Sequence, residues 1–272
     1  MKMKKTVIAC GVALIGATSA LSAAEITKTT TVSGNTTVTE TNTPTAWATT
    51  TETAAAPVHE FSANIGVTSN YLWRGVTQTD DGPAVSGGVD YAHESGIYLG
   101  GWVSNIDWAL DDVGSGAEVD FYGGFKGEYE EFGYDLGLIY YYYPTSGYDD
   151  SNFFELAVSG SWRWFSAGIN YTMSGDADSD APFSDGDIYY HFGGSIDFAE
   201  SWNIGATAGY YDFDTSSEWE FFNGDADYWH GQIDLTKSAG EWGDFTLTVS
   251  TAEERALSSN DTKFAVSWSK TF

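Results

Sequence analysis

The sequence predicts an all-β protein, an antiparallel transmembrane β-barrel of about 12 strands, and three observations lead to this prediction. From His59 onward, apolar and polar residues alternate with a period of two, which is typical of strands with two different faces. The alternating segments are about 9–11 residues long, the length that a tilted strand needs to cross a bilayer. The connections between them alternate between short and long, as in barrels with short periplasmic turns and longer outer loops.

The chain begins with the features of a cleavable export signal. Three lysines within the first five residues precede an apolar run, Val7–Ala17, and small residues follow up to Ala24. The run is too short to cross a bilayer as a helix, which takes about 20 residues. We therefore expect residues 1–24 to be a signal peptide. Since Cys10 is the one cysteine and lies within it, the mature chain should have no disulfide and no thiolate metal site.

Residues 25–58 form a threonine-rich segment without a sustained apolar pattern. Such a composition buries too little apolar surface to offset the entropy lost on ordering, so we expect a disordered extension. The barrel should then span residues 59–272.

Within 59–272, the alternation indicates about twelve strands, joined by six long, acidic loops and five short turns. Clear examples are Phe61–Val67, Val119–Phe125, Tyr134–Tyr140 and Phe264–Trp268. Aromatic residues at the segment ends predict two interfacial girdles. One girdle is predicted at the turns, from Tyr129, Phe132, Trp162, Trp164, Phe165, Trp202 and Trp242, and the other at the loops, from Tyr71, Trp73, Tyr142 and Tyr210.

Composition excludes several other classes of protein. The formal net charge is −28 and the chain has only 11 Lys and Arg residues, so nucleic-acid binding, which depends on basic contacts to phosphates, is excluded. After residue 24 no continuous apolar run is long enough for a transmembrane helix. A soluble β-sandwich also shows alternation, but the strand length, the girdles and the pattern of connections favour the barrel.

The first strands of the predicted barrel carry a family resemblance. The run Ser69–Thr79 (SNYLWRGVTQT), with Gly87–Tyr91 and Gly96–Asp107, resembles the TorF-type porins of proteobacteria. The resemblance covers residues 61–107 and implies an outer-membrane pore whose substrates are mostly unassigned. It draws attention to Asn70, Tyr71, Arg74 and Gly75 in the first outer loop. There Arg74 either guards the mouth of the pore or pairs with Asp80 or Asp81.

The last strand also resembles an outer-membrane assembly signal. Its terminal residue, Phe272, is in phase with Phe264, Val266 and Trp268, although Lys270 occupies a position of the same phase that is usually apolar. We therefore expect the barrel assembly machinery to be a partner, together with outer-membrane lipid and lipopolysaccharide.

Strand parity places a set of mostly acidic and aromatic residues on the inner wall: Asp90, Tyr98, Trp102, Glu118, Asp120, Tyr122, Lys126, Asp135, Glu155, His191 and Asp197. A water-filled acidic lumen attracts cations, so we expect a porin for passive diffusion of small hydrophilic solutes with cations preferred. The alternative is a barrel plugged by its own side chains, because twelve strands lie between filled eight-stranded and open sixteen-stranded barrels. Tyr98, Trp102 and Tyr122 either form a stacking track for solutes or fill volume.

Two further chemistries can be compared with the sequence. Asp176, Asp178, Asp180 and Asp187 have the acidic spacing of a calcium loop, but Ala181 replaces the expected glycine, so a solvated acidic loop competes with a calcium site. His191 and Ser195 share inward parity, yet no nucleophile motif accompanies them, and we expect no catalysis, lipid hydrolysis included. No other cofactor is expected. The remaining rival function is a non-conducting structural or adhesive barrel.

Overall fold

The structure is a computed structural model that describes residues 58–109, 114–145, 147–178 and 180–272. The predicted signal peptide and nearly all of the threonine-rich extension lie outside these residues. The strands are β1 (His59–Thr68), β2 (Leu72–Trp73), β3 (Val76–Thr77), β4 (Ala84–His93), β5 (Ile97–Ile106), β6 (Gly116–Tyr129), β7 (Phe132–Tyr142), β8 (Phe153–Trp162), β9 (Phe165–Gly175), β10 (Ile188–Ala199), β11 (Trp202–Asp212), β12 (Tyr228–Ser238), β13 (Asp244–Ala252) and β14 (Lys263–Thr271).

In the described part of the chain, β1 and β4–β14 form one closed antiparallel barrel of twelve strands, which confirms the predicted fold class. Consecutive strands pair as hairpins, and β1 closes the barrel by pairing with β14 from Asn64↔Thr271 to Thr68↔Ser267. Closure leaves no unpaired sheet edge, which is the condition for a sheet to lie in hydrocarbon. The short strands β2 and β3 form a separate hairpin.

The connections divide the barrel into two ends, called here the turn end and the loop end. The turn end has connections as short as the two residues between β6 and β7. At the loop end the connections are longer, and one of them contains the helix α1 (Ser217–Asn223). Among the described residues, no helix has the length and apolar character required to cross a membrane.

The outer face of the barrel is apolar, as period-two alternation predicts for strands that face lipid. Leu136 and Ile233 in mid-strand are exposed, and so is the predicted girdle at the turn end, for example Trp164 and Trp242. The predicted girdle at the loop end is partly wrong. Tyr142 lies outside, but Tyr71 and Trp73 are 6% and 2% exposed and lie in the protein core, because their loop folds inward.

Candidate functional site

The hairpin β2–β3 lies inside the loop end of the barrel. Its tip is Arg74-Gly75, and both residues have positive φ (45° and 86°). A Cβ on Gly75 would stand 2.4 Å from Cβ of His230 on β12 and 3.3 Å from Cβ of Ala252 on β13. The tip therefore touches the inner wall, and only glycine allows so close an approach at this backbone angle.

The base of the hairpin is held by a small polar network. The amide of Asn70 donates from Nδ2 to Oδ1 of Asp81 at 2.8 Å, and its Oδ1 accepts from the Thr77 hydroxyl at 2.7 Å. The fully buried Gln78 accepts a hydrogen bond from Nε1 of Trp108 at 3.0 Å. These contacts tie the first loop to the second, so the inserted position is supported at both ends of the hairpin.

Arg74 forms a buried ion pair with Glu155 of β8. Its two terminal nitrogens donate to the two carboxylate oxygens at 2.8 and 2.7 Å, a bidentate arrangement. The side chains are 6% and 0% exposed. Burial acts to lower the pKa of Arg74, but attraction to Glu155, Tyr211 and Tyr141 raises it well above its ordinary value, so the guanidinium stays charged. The sequence-based pairing of Arg74 with Asp80 or Asp81 is therefore wrong, and Asp81 instead pairs with Lys263 at 2.6 Å.

Polar groups of the neighbouring strands complete the surroundings of Glu155. The Tyr141 hydroxyl and the Asn170 amide donate to Oε2 at 3.1 and 2.9 Å, and the Tyr211 hydroxyl donates to Oε1 at 3.5 Å. A buried carboxylate needs such donors in addition to a counter-ion.

Aromatic rings flank the guanidinium of Arg74. Its Cζ lies 4.1 Å from the ring centroid of Tyr189, 4.2 Å from that of Trp73 and 4.9 Å from that of Tyr211, all within the range of cation–π attraction. The Tyr189 hydroxyl is 2.7 Å from Nε2 of His230. We call Tyr141, Glu155, Asn170, Tyr189 and Tyr211 the cage; they belong to five consecutive strands of the wall.

A second loop covers the hairpin. Phe183, between β9 and β10, packs against Trp73 with ring centroids 6.2 Å apart, and also against Phe153 and Phe213. The loop is fixed by Asp187, whose Oδ2 accepts from the backbone N–H of Phe183 at 2.6 Å and whose Oδ1 accepts from that of Asp214 at 2.8 Å. Burial raises the pKa of Asp187 to about 7, although these two hydrogen bonds act to lower it.

In the half of the barrel next to the turn end, the predicted lumen residues lie along the wall. The Tyr122 hydroxyl donates to Asp90 at 2.6 Å, and the Tyr98 hydroxyl donates to Asp135 at 2.7 Å. A Cβ on Gly100 would stand 2.3 Å from the Tyr122 ring, so this ring lies flat over a glycine of the wall.

The other predicted lumen residues are divided between the two halves. Towards the turn end, Lys126 stands 5.3 Å from the Tyr98 ring, and Asp197 accepts a hydrogen bond from Asn203. Trp102 instead packs edge-on against Tyr71 of the hairpin, with ring centroids 5.6 Å apart. The structure therefore does not join Tyr98, Trp102 and Tyr122 into one continuous stack.

Glu118 and Asp120 lie next to the hairpin, at successive inward positions of β6. Both are fully buried, and no ion pair links either to a described basic residue. Tyr71 is the polar neighbour of Glu118. Among the inward-facing acidic residues predicted from the sequence, Glu155 is the one that forms an ion pair with Arg74 of the hairpin.

The acidic loop and the inward-facing His191 are the two remaining candidate sites from the sequence. Among the described residues, no group of three or more His, Cys, Asp or Glu side chains could hold a metal ion, so the four loop aspartates are not gathered into one site. Asp187 is buried under Phe183, and Asp176 accepts a hydrogen bond from Asn152. Calcium binding by this loop stays a prediction. The His191 ring stacks against Tyr189, with centroids 5.6 Å apart.

Comparison with solved structures finds the same fold in porins. A structure described as "KdgM porin" matches with a TM-score of 0.52 at 10% identity, covering 78% of this chain and 99% of that one. "KdgM porin in complex with disordered oligogalacturonate" matches with a TM-score of 0.51 at 9% identity, covering 78% and 98%. At such low identity the likeness concerns the fold alone. A search of curated proteins finds no match.

A family model described as "Bacterial protein of unknown function (Gcw_chp)" matches residues 51–272, which include the whole barrel and the Arg74 hairpin. The match covers far more than half of the chain. The protein therefore belongs to the Gcw_chp family.

Proposed function

We propose that this protein is an outer-membrane channel for passive diffusion of small hydrophilic solutes, and that the β2–β3 hairpin closes it reversibly. The observation that carries the proposal is a closed twelve-stranded barrel with an apolar outer face and a polar inner wall. The similarity to porin structures and the sequence resemblance to TorF-type porins support it. In this proposal the turn end faces the periplasm, and the loop end faces outward among lipopolysaccharide.

The proposed preference is for cations. Asp90, Asp135, Asp197 and Asp234 line the half next to the turn end, where Lys126 is the neighbouring basic residue. A surplus of fixed negative charge raises the local concentration of cations and repels anions. Oligogalacturonate, bound by a similar porin, is a chain of acidic sugars. We therefore propose a different solute class for this barrel.

The second candidate is a barrel that does not conduct. The specific observation in its favour is the filled loop end, where the hairpin, Phe183 and Tyr211 are packed into one core cluster. The two candidates agree on fold and membrane location, but they differ in whether the hairpin leaves its site.

Proteoliposomes separate the two candidates. Refolded protein should accelerate the swelling of liposomes in small neutral sugars relative to empty vesicles, and a KCl gradient across a planar bilayer should give a reversal potential of the sign for cation selectivity. Swelling equal to that of empty vesicles favours the non-conducting barrel. Swelling with an anion-selective potential retains the channel and overturns the cation preference.

A further inference from the structure

We propose that the cage is a recognition site for organic cations carrying a guanidinium group, and that Arg74 occupies it as an internal stand-in for such a solute. The inference rests on the proposed function, since it names the solute class of the same lumen. We infer this because the cage belongs to the barrel wall, whereas the cation that it binds, Arg74, belongs to a loop.

The cage matches a planar, bidentate cation. Both oxygens of Glu155 face the two terminal nitrogens of Arg74 at 2.8 and 2.7 Å, which is the pattern in which carboxylates recognise guanidinium. Tyr189 and Tyr211 present their ring faces 4.1 and 4.9 Å from Cζ. An aromatic face beside a carboxylate attracts a weakly hydrated cation and offers nothing to an anion.

The cage is built without residues of the hairpin, because its five residues lie on β7–β11 and Tyr141, Asn170 and Tyr211 all donate to Glu155. The hydrogen bonds from Tyr141 and Asn170 to Glu155 involve no atom of Arg74. Only Trp73 and Arg74, which belong to the hairpin, leave when it swings out.

When the hairpin is displaced, Glu155 loses its counter-ion and can bind another cation in its place. With Arg74 gone, Glu155 is a carboxylate in an aromatic pocket without its counter-ion, a costly state. A solute that supplies a guanidinium satisfies Glu155 and at the same time holds the lumen free of the hairpin. Binding and opening are therefore coupled by competition for one carboxylate.

The first experiment removes the guanidinium of Arg74 from the cage and then adds a soluble guanidinium compound. Arg74→Ala, refolded in detergent, is titrated with n-propylguanidinium chloride, which reproduces the end of the arginine side chain. Intrinsic tryptophan fluorescence and the unfolding temperature are followed. We expect saturable binding and a rise in unfolding temperature. N-propylurea, a neutral analogue of similar shape, should give neither effect, and affinity should fall by about tenfold or more in Arg74→Ala/Glu155→Gln.

A second measurement uses the unmodified chain, so that the test does not depend on the folding of a variant. Chymotrypsin cleavage after Trp73, detected by mass spectrometry, should accelerate in a saturable manner with n-propylguanidinium and not with n-propylurea. Equal responses to the two compounds, or no saturable response in either experiment, overturn the inference. Binding without conductance in bilayers retains the site and rejects the channel, whereas conductance without binding retains the channel and rejects the site.

Discussion

Arg74 and Glu155, 81 positions apart in sequence, are joined by two parallel hydrogen bonds of 2.8 and 2.7 Å in the interior of the barrel. One partner belongs to the first outer loop and the other to the wall, so this ion pair attaches the inserted hairpin to the barrel. Tyr141, Asn170 and three aromatic rings surround the pair.

Removing one partner of the ion pair should destabilise the protein strongly. Arg74→Ala leaves Glu155 buried and uncompensated, which costs about 3–5 kcal/mol, and adding Glu155→Gln should recover part of that loss. A double-mutant cycle from denaturant unfolding in detergent measures the coupling. Arg163–Glu131, whose side chains are 56% and 59% exposed, serves as control and should give about 0–1 kcal/mol. Equal coupling in the two pairs would contradict the buried pair.

Gly75→Ala should displace the hairpin. The added Cβ would stand 2.4 Å from Cβ of His230, on a backbone with φ of 86°. Gly224→Ala is the matched control, because its φ is 93° but nothing lies within 4 Å of the added Cβ. We expect faster chymotrypsin cleavage in the hairpin for Gly75→Ala alone. The same acceleration in both variants would mean that backbone strain, rather than contact with the wall, is responsible.

The two faces of the barrel should tolerate an added charge to different extents. Ile233 lies at the middle of β12 and faces outward, while its neighbour Gln232 faces inward and donates to Asp234. Ile233→Lys should cost about 2–4 kcal/mol in bilayers, and Gln232→Lys should cost much less. Unfolding titrations in lipid vesicles measure both. A larger penalty for Gln232→Lys would reverse the assignment of the faces.

The covering loop should loosen as the pH rises. Burial raises the pKa of Asp187 from its ordinary 3.8 to about 7, and the charges of Asp214 and Glu155 add to the shift. Because the folded loop prefers the protonated carboxyl, its stability is greatest below pH 4 and declines until the pH passes about 7. Proteolysis of residues 176–187 should therefore accelerate between about pH 4 and pH 7. In Asp187→Asn the acceleration should be absent. If that variant shows the same pH profile as the wild type, a group other than Asp187 causes the change in proteolysis rate.

The sequence pattern predicted the residues of the barrel wall more successfully than the loop residues that lie inside the barrel. Alternation identifies inward residues, since it follows from strand geometry alone. It therefore placed Glu155 and His191 on the inner wall and Leu136 outside. It did not locate Tyr71, Trp73 or Arg74, because a loop's path depends on tertiary contacts that carry no period. One signal was present, since a charged glutamate that faces an aromatic wall is stabilised by a nearby cation.

The further site residues that the structure identifies lie either on the wall strands or in the loops. Tyr141 and Asn170 have inward parity and were accessible to the sequence pattern. Phe183 and Gln78 lie in loops and were not, because their burial depends on where the hairpin and its neighbours settle. The cage could be partly anticipated, but its occupation by Arg74 could not.

Single-channel recording of the wild type beside Arg74→Ala/Glu155→Gln shows whether the Arg74 hairpin closes a conducting barrel. The double variant removes the ion pair without leaving an unpaired carboxylate in the cage, so the hairpin loses its main attachment while the wall keeps its structure. We expect brief, infrequent conductance steps for the wild type and long-lived open levels for the double variant. Identical records for the two proteins, or no steps in either, would contradict a channel closed by the Arg74 hairpin.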